Sequence, residues 1–320
     1  MLKVFNVFAV LMLLTLATKA DVKIDRTALA NKVLPRVDSI GACQDYPLRY
    51  IVEKLCQKDF SETEIVYAMY SWMANNISFN TWDYHHPKIA NNSPSETLNK
   101  RIATGMGYAN LFKAMCDIIK VPCVVIEGDA KVNPQSIGNK KRLLKHAWNA
   151  VKIKNTWYLV DVALGANNFD KKIKRVEKDF SDGWCFADRE LFMLSHFPVD
   201  TKWVLMETQP RMNTLLQAPQ VGSGALRNSV YLTKIVKGII KGNKDGCKRM
   251  IFEINDPKEI TQVNIKVDDK LIFADYYVDK DFLYVDVPFS KKGKYPLSIM
   301  VNGQAGYVYN AFVGPKKKRR

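Results

Sequence analysis

The stretch His146–Ala166, "HAWNAVKIKNTWYLVDVALGA", decides the fold. Apolar and polar residues alternate on either side of Lys154 and Asn155, the pattern of two half-buried strands joined by a tight turn. If that turn is even in length, Ile153 faces Thr156 and every paired position sums to 309. His146 then faces Ala163, and Asp161 becomes its diagonal neighbour on the same sheet face, about 7 to 8 Å away between backbones. An imidazole and a carboxylate bridge that separation, so the stretch predicts a His–Asp pair in which Asp161 orients the ring of His146, as hydrolase triads require. An odd-length turn would put the two on opposite faces.

Upstream, "CVVIEGDA" at Cys123–Ala130 reads as a third strand, and "RIATGMGYANLFKAMC" at Arg101–Cys116 as a glycine-flanked turn entering an amphipathic helix. That helix is expected over about residues 105–120, burying Ala109, Phe112, Leu111 or Met115, and Cys116, with Pro122 closing it. Many hydrolases and acyl transferases mount a nucleophile at such a turn; here Thr104 alone carries a nucleophilic atom, and N-cap duty is the commoner role for it. Further upstream, Ser61 and Glu64 stand at capping-box spacing before a helical stripe of Ile65, Met69, Trp72 and Met73, and Ser93, Pro94 and Glu96 open another helix. Residues 81–92 are loop-like. Their neighbours His85 and His86 point opposite ways on an extended chain and lack a carboxylate-rich motif, so they read as surface or cleft-rim residues rather than metal ligands. Helices followed by an antiparallel sheet make an α+β arrangement.

Downstream of Met206, short alternating segments separated by turn residues ("SVYLTKIV", "RMIFEI", "ITQVNIKV", "KLIFADYYV", "FLYVDV", "YPLSIMV", "GYVYNAFV") suggest an antiparallel β-sandwich of immunoglobulin-like size without the Cys…Trp…Cys signature. At the other end, Lys3, an apolar run from Val4 to Leu16 and the small residues Ala17, Thr18 and Ala20 read as a secretory signal peptide. The run is shorter than the roughly 18 to 20 residues that span a bilayer. The chain thus divides into a signal peptide (1–20), an α+β domain (21–210), a β-sandwich (225–314) and a basic tail (315–320), and the protein is expected to be secreted or periplasmic.

Forty-eight basic residues against 32 acidic ones give a net charge of +16, which favours anionic surfaces or polysaccharides as partners, with Lys316, Lys317, Lys318, Arg319 and Arg320 forming a solvated tail. The composition, 47% hydrophobic and 11% aromatic, is that of a folded protein and excludes disorder as the default. Six cysteines in an oxidising compartment permit up to three disulfides; Cys116 and Cys123, in apolar surroundings, serve equally well as buried thiols or as a bridge. No Cys-x-x-Cys or mixed Cys/His cluster supports a zinc site, and no cofactor or metal is expected.

The blocks "RIATGMGYANLFKAMCDIIKVPCVVIEGDAK", "HAWNAVKIKNTWYLVDVALGA" and "DRELFMLSHFPVDTKW" resemble, in order and spacing, the transglutaminase-like superfamily, and within it the kyphoscoliosis-peptidase-like branch. The resemblance covers about Ser61 to Met206. It implies a papain-like core followed by an immunoglobulin-like domain, and a Cys-His-Asp triad in which His146 and Asp161 hold the second and third positions. The nucleophile position, two residues before Gly107–Tyr108, is Gly105, and Leu164 stands where the family usually has Trp.

A thiolate at a helix N-terminus beside an imidazolium is what that chemistry needs. Glycine supplies nothing, and losing the nucleophile of a triad costs on the order of a million-fold in turnover. Cys116 lies eleven residues along the helix, about 16 Å of rise, too far from His146. Cys43 precedes the whole core, and His196, in a helix-end "SHFP" block, reads as structural. The expectation is therefore an inactive pseudoenzyme that binds a peptide, protein or anionic polymer, with Gly105, Gly107 and Trp148 lining the vacated pocket. The alternative is a cysteine-independent peptidase or amide-bond transferase that uses Thr104, or a water activated by the His146–Asp161 pair.

Overall fold

The computed structural model describes residues 24–43, 45–82, 86, 90–170, 175–208, 211–268 and 270–315. The signal-peptide segment, His85 and the tail from Lys316 to Arg320 lie outside these. The first half is built on the helices Arg26–Ile40, Leu48–Leu55, Glu62–Asn76, Pro94–Lys100 and Gly105–Ile118. Ser61 and Glu64 form the reciprocal capping box, each bonding the other's backbone amide. Val66 through Ala74 are all buried, so the Glu62–Asn76 helix is enclosed on every side, more than the expected stripe.

The hairpin has the expected register, Ile153 opposite Thr156 and Asn149 opposite Val160. Lys154 and Asn155 both take positive φ, 47° and 69°, the twist of a two-residue primed turn. The second strand, however, stops at Val160, and Val162–Ala166 turns into a short helix. His146 and Ala163 therefore do not pair. The sheet runs, edge to edge, Thr156–Val160, Leu144–Ile153, Cys123–Ala130 and His196–Pro198. The last member, in the "SHFP" block, is a strand that the sequence reading did not foresee.

Beyond residue 220 two sheets face one another. One holds Val230–Leu232, Cys247–Ile254, Phe282–Pro288 and Asp275–Asp279; the other holds Ile239–Asn243, Gln304–Gly314, Gly293–Val301, Val263–Val267 and Lys270–Phe273. Met250, Phe252, Ile254, Leu283, Val285 and Val287 point inward from the first, and Tyr295, Leu297, Ile299 and Val301 from the second, which makes a β-sandwich core. The expected strand "KLIFADYYV" breaks at Ala274, its halves joining opposite sheets, and Ile239–Asn243 runs parallel to Gln304–Gly314. Between the two halves of the chain, Lys131 is fully buried, with no carboxylate on its ammonium among the described residues; its Nζ donates to the carbonyls of Leu215 (2.7 Å) and Ala218 (2.9 Å). Asn310 Nδ2 donates to Pro134 O at 2.8 Å across the same junction.

Candidate functional site

The helix Gly105–Ile118 lies on the sheet, where Asn149 Nδ2 clamps it by donating to Ala109 O (3.0 Å) and to Val124 O (3.2 Å). Tyr108 Oη donates to Ile77 O at 2.7 Å, fixing the first turn against the end of the Glu62–Asn76 helix. These bonds aim the helix start at His146.

A β-carbon built on Gly105 would lie 2.5 Å from His146 Nδ1 and 2.8 Å from its Cε1, well inside contact distance. The imidazole thus fills the space that a side chain at position 105 would use. On its far side His146 Nε2 pairs with Asp161 Oδ2 at 2.6 Å, a charge-assisted hydrogen-bond length. The expected partnership forms, but by a different route: Asp161 is not a cross-strand diagonal. It sits just past the strand, its Oδ1 accepting from Leu164 N at 2.9 Å and its carbonyl from Gly165 N at 3.1 Å, so the carboxylate caps the short helix.

The same Oδ2 accepts a second imidazole, His196 Nε2, at 3.0 Å. His196 is fully buried, stacks on Phe192 with ring centroids 3.7 Å apart, and its Nδ1 lies 2.9 Å from Ser195 Oγ. Its place in the site was missed because 35 residues separate it from Asp161 and a three-residue strand carries little periodicity. The available hint was a histidine in an apolar run followed by Pro198. Burial pushes the His196 imidazole toward its neutral form, against the pull of Asp161. Burial alone would raise the Asp161 pKa; the two imidazoles outweigh it and hold the carboxyl below the ordinary carboxylate range. With Nε2 facing Asp161, Nδ1 is the ring nitrogen of His146 aimed at Gly105.

The expected pocket lining does not come together. A β-carbon on Gly107 would face Ala103, Thr97 and Asn92 instead of His146. Trp148 is buried, with its ring edge near Gly128 and its ring centroid 4.8 Å from that of His196, so it packs behind the histidines instead of facing a cleft. Thr104 stands at the N-cap position without a capping side-chain bond; its hydroxyl donates to Asn92 Oδ1 at 2.6 Å, away from catalytic duty. His86 is exposed and stacked on Trp82. The donor atoms of His146, Asp161 and His196 all lie within 4.8 Å of one another, and two imidazoles with a carboxylate are a set that divalent metals accept. The 2.6 and 3.0 Å separations are those of hydrogen bonds with the carboxylate oxygen between the rings.

Residues 49–162 match the model of the transglutaminase-like superfamily. The chain is 27% identical over 161 residues to kyphoscoliosis peptidase of Mus musculus and 26% identical over 158 residues to that of Homo sapiens. Each match covers about half of this chain, 50% and 49%, and 24% of the relative's length. A solved structure titled as a TGase is similar at 16% identity and a TM-score of 0.27, over 46% of this chain and 34% of its own.

Proposed function

We propose, from the match of residues 49–162 to the transglutaminase-like superfamily model, that this protein is an exported pseudoenzyme that works by binding. The observation carrying the reading is the contact between the His146 ring and the space above Gly105, where a β-carbon would come within 2.5 Å of the base. His146 and Asp161 keep the geometry of a base and its orienter, and Gly105, at the nucleophile position, offers Nδ1 no attacking atom. The kyphoscoliosis peptidases it resembles are named for peptide-bond cleavage, a step that needs an attacking atom here. The net charge of +16 favours a peptide, protein or polymer ligand bearing negative charge.

The test is to incubate the mature protein with generic and glutamine-containing peptides beside His146→Ala. Indistinguishable background rates are expected from both. Turnover that disappears in the variant would establish the alternative, a water-based hydrolase or transferase. Binding to anionic polymers that weakens with salt would support the ligand class, and N-terminal sequencing of the exported protein would locate the processing site expected near Ala20.

A further inference from the structure

We infer that Cys116 and Cys123 form a disulfide modification site tying the end of the central helix to the first strand of the core sheet. The backbone assembles the pair. Val121 N donates to Cys116 O at 3.0 Å and Lys120 N to Asp117 O at 3.2 Å, with Lys120 at φ +60°; this is the double closure of a Schellman motif, made with lysine in the left-handed position. It turns the chain back on itself, Pro122 O accepts from Lys152 N at 2.8 Å, and the strand beginning at Cys123 starts beside the helix it has just left.

Both cysteines are free thiols buried at this turn, where the Cys123 side chain raises the Cys116 thiol and both raise the Lys113 ammonium. Contact with Cys123, then burial, pushes the Cys116 thiol up, so Cys116 is a poor first nucleophile. Cys116 is fully buried and Cys123 is 7% exposed, so a reagent meets Cys123 first. With oxidised glutathione as oxidant, the Cys123 thiolate attacks one glutathione sulfur and releases one glutathione thiol. Cys116 then attacks Cys123 Sγ, expelling the second. The protein loses two S–H protons and two electrons, and the glutathione disulfide is reduced to two thiols.

The experiment treats the native full-length protein with oxidised glutathione at mildly alkaline pH, alkylates it, and digests it with trypsin unreduced. Cleavage after Lys113, Lys120 and Lys131 separates the two cysteines, so the expected product is residues 114–120 joined to residues 121–131, two hydrogens lighter than the sum of the free peptides and released by reductant. The oxidised protein should also melt higher than the reduced one, a shift missing in Cys123→Ser. Recovery of both cysteines singly alkylated or glutathionylated, or paired with Cys43, Cys56, Cys185 or Cys247, would overturn the inference, and this wild-type readout holds whether or not the serine variant folds.

Discussion

Replacing Lys131 by methionine should change how stability responds to pH. Burial lowers the Lys131 pKa from its ordinary 10.5 to about 7, and its ammonium meets two carbonyls, with no carboxylate among the described residues to offset the loss of water. Below that value the native and unfolded chains both hold the proton, and the group adds no pH dependence. Above it the native lysine sheds its proton while the unfolded one keeps it up to about 10.5, so the unfolded state binds more protons and stability rises with pH. The limiting slope is about 1.4 kcal/mol per pH unit. Allowing for partial titration near neutrality, the wild type should gain roughly 2 kcal/mol relative to Lys131→Met between about pH 6 and pH 8.5. Urea denaturation of both proteins across that range measures it, and every other titrating group cancels in the difference. Two stability curves that stay parallel within about 0.5 kcal/mol would refute the reasoning.

Gly105→Ala should lose about 1 to 2 kcal/mol, read by denaturant midpoint, because the new methyl must push aside a ring held by Asp161. Gly105→Cys should be similarly destabilised and give no thiol-dependent turnover; iodoacetamide-sensitive peptide cleavage would contradict this. Gly165→Ala should cost at least about 3 kcal/mol, since its β-carbon would sit 1.6 Å from Tyr70 Oη and 2.9 Å from Ser181 O in a fully packed layer. The depressed Asp161 carboxyl contributes stability above the unfolded carboxylate range that is lost as pH falls through its native value, so acid titration followed by circular dichroism should show a weaker acid dependence for Asp161→Asn.

What the chain discloses by itself is what local physics dictates. The hairpin register followed from period-two alternation around Lys154 and Asn155, and the Glu62–Asn76 helix start from a serine and a glutamate three residues apart. The facing of His146 and Asp161 was legible, yet its geometry was not: the carboxylate also caps a helix that interrupts the strand, a choice made by packing against Tyr70 and Ser181. His196 and Thr104 were assigned other duties because their partners, Asp161 and Asn92, lie 35 and 12 residues away with no periodic signal linking them. The break at Ala274 was hidden because both halves of "KLIFADYYV" carry strand composition, and only closure of the sandwich divides them.

That break has a mechanical consequence. The chain passes from the last strand of one layer, Lys270–Phe273, to the last strand of the other, Asp275–Asp279, through Ala274 alone, so the two layers share a stitch at their margin. Peeling either border strand pulls on its neighbour across the seam. Amide hydrogens in 270–273 and 275–279 should therefore exchange as one cooperative unit, with Leu271 and Phe273, 63% and 88% exposed, riding on the outside of it.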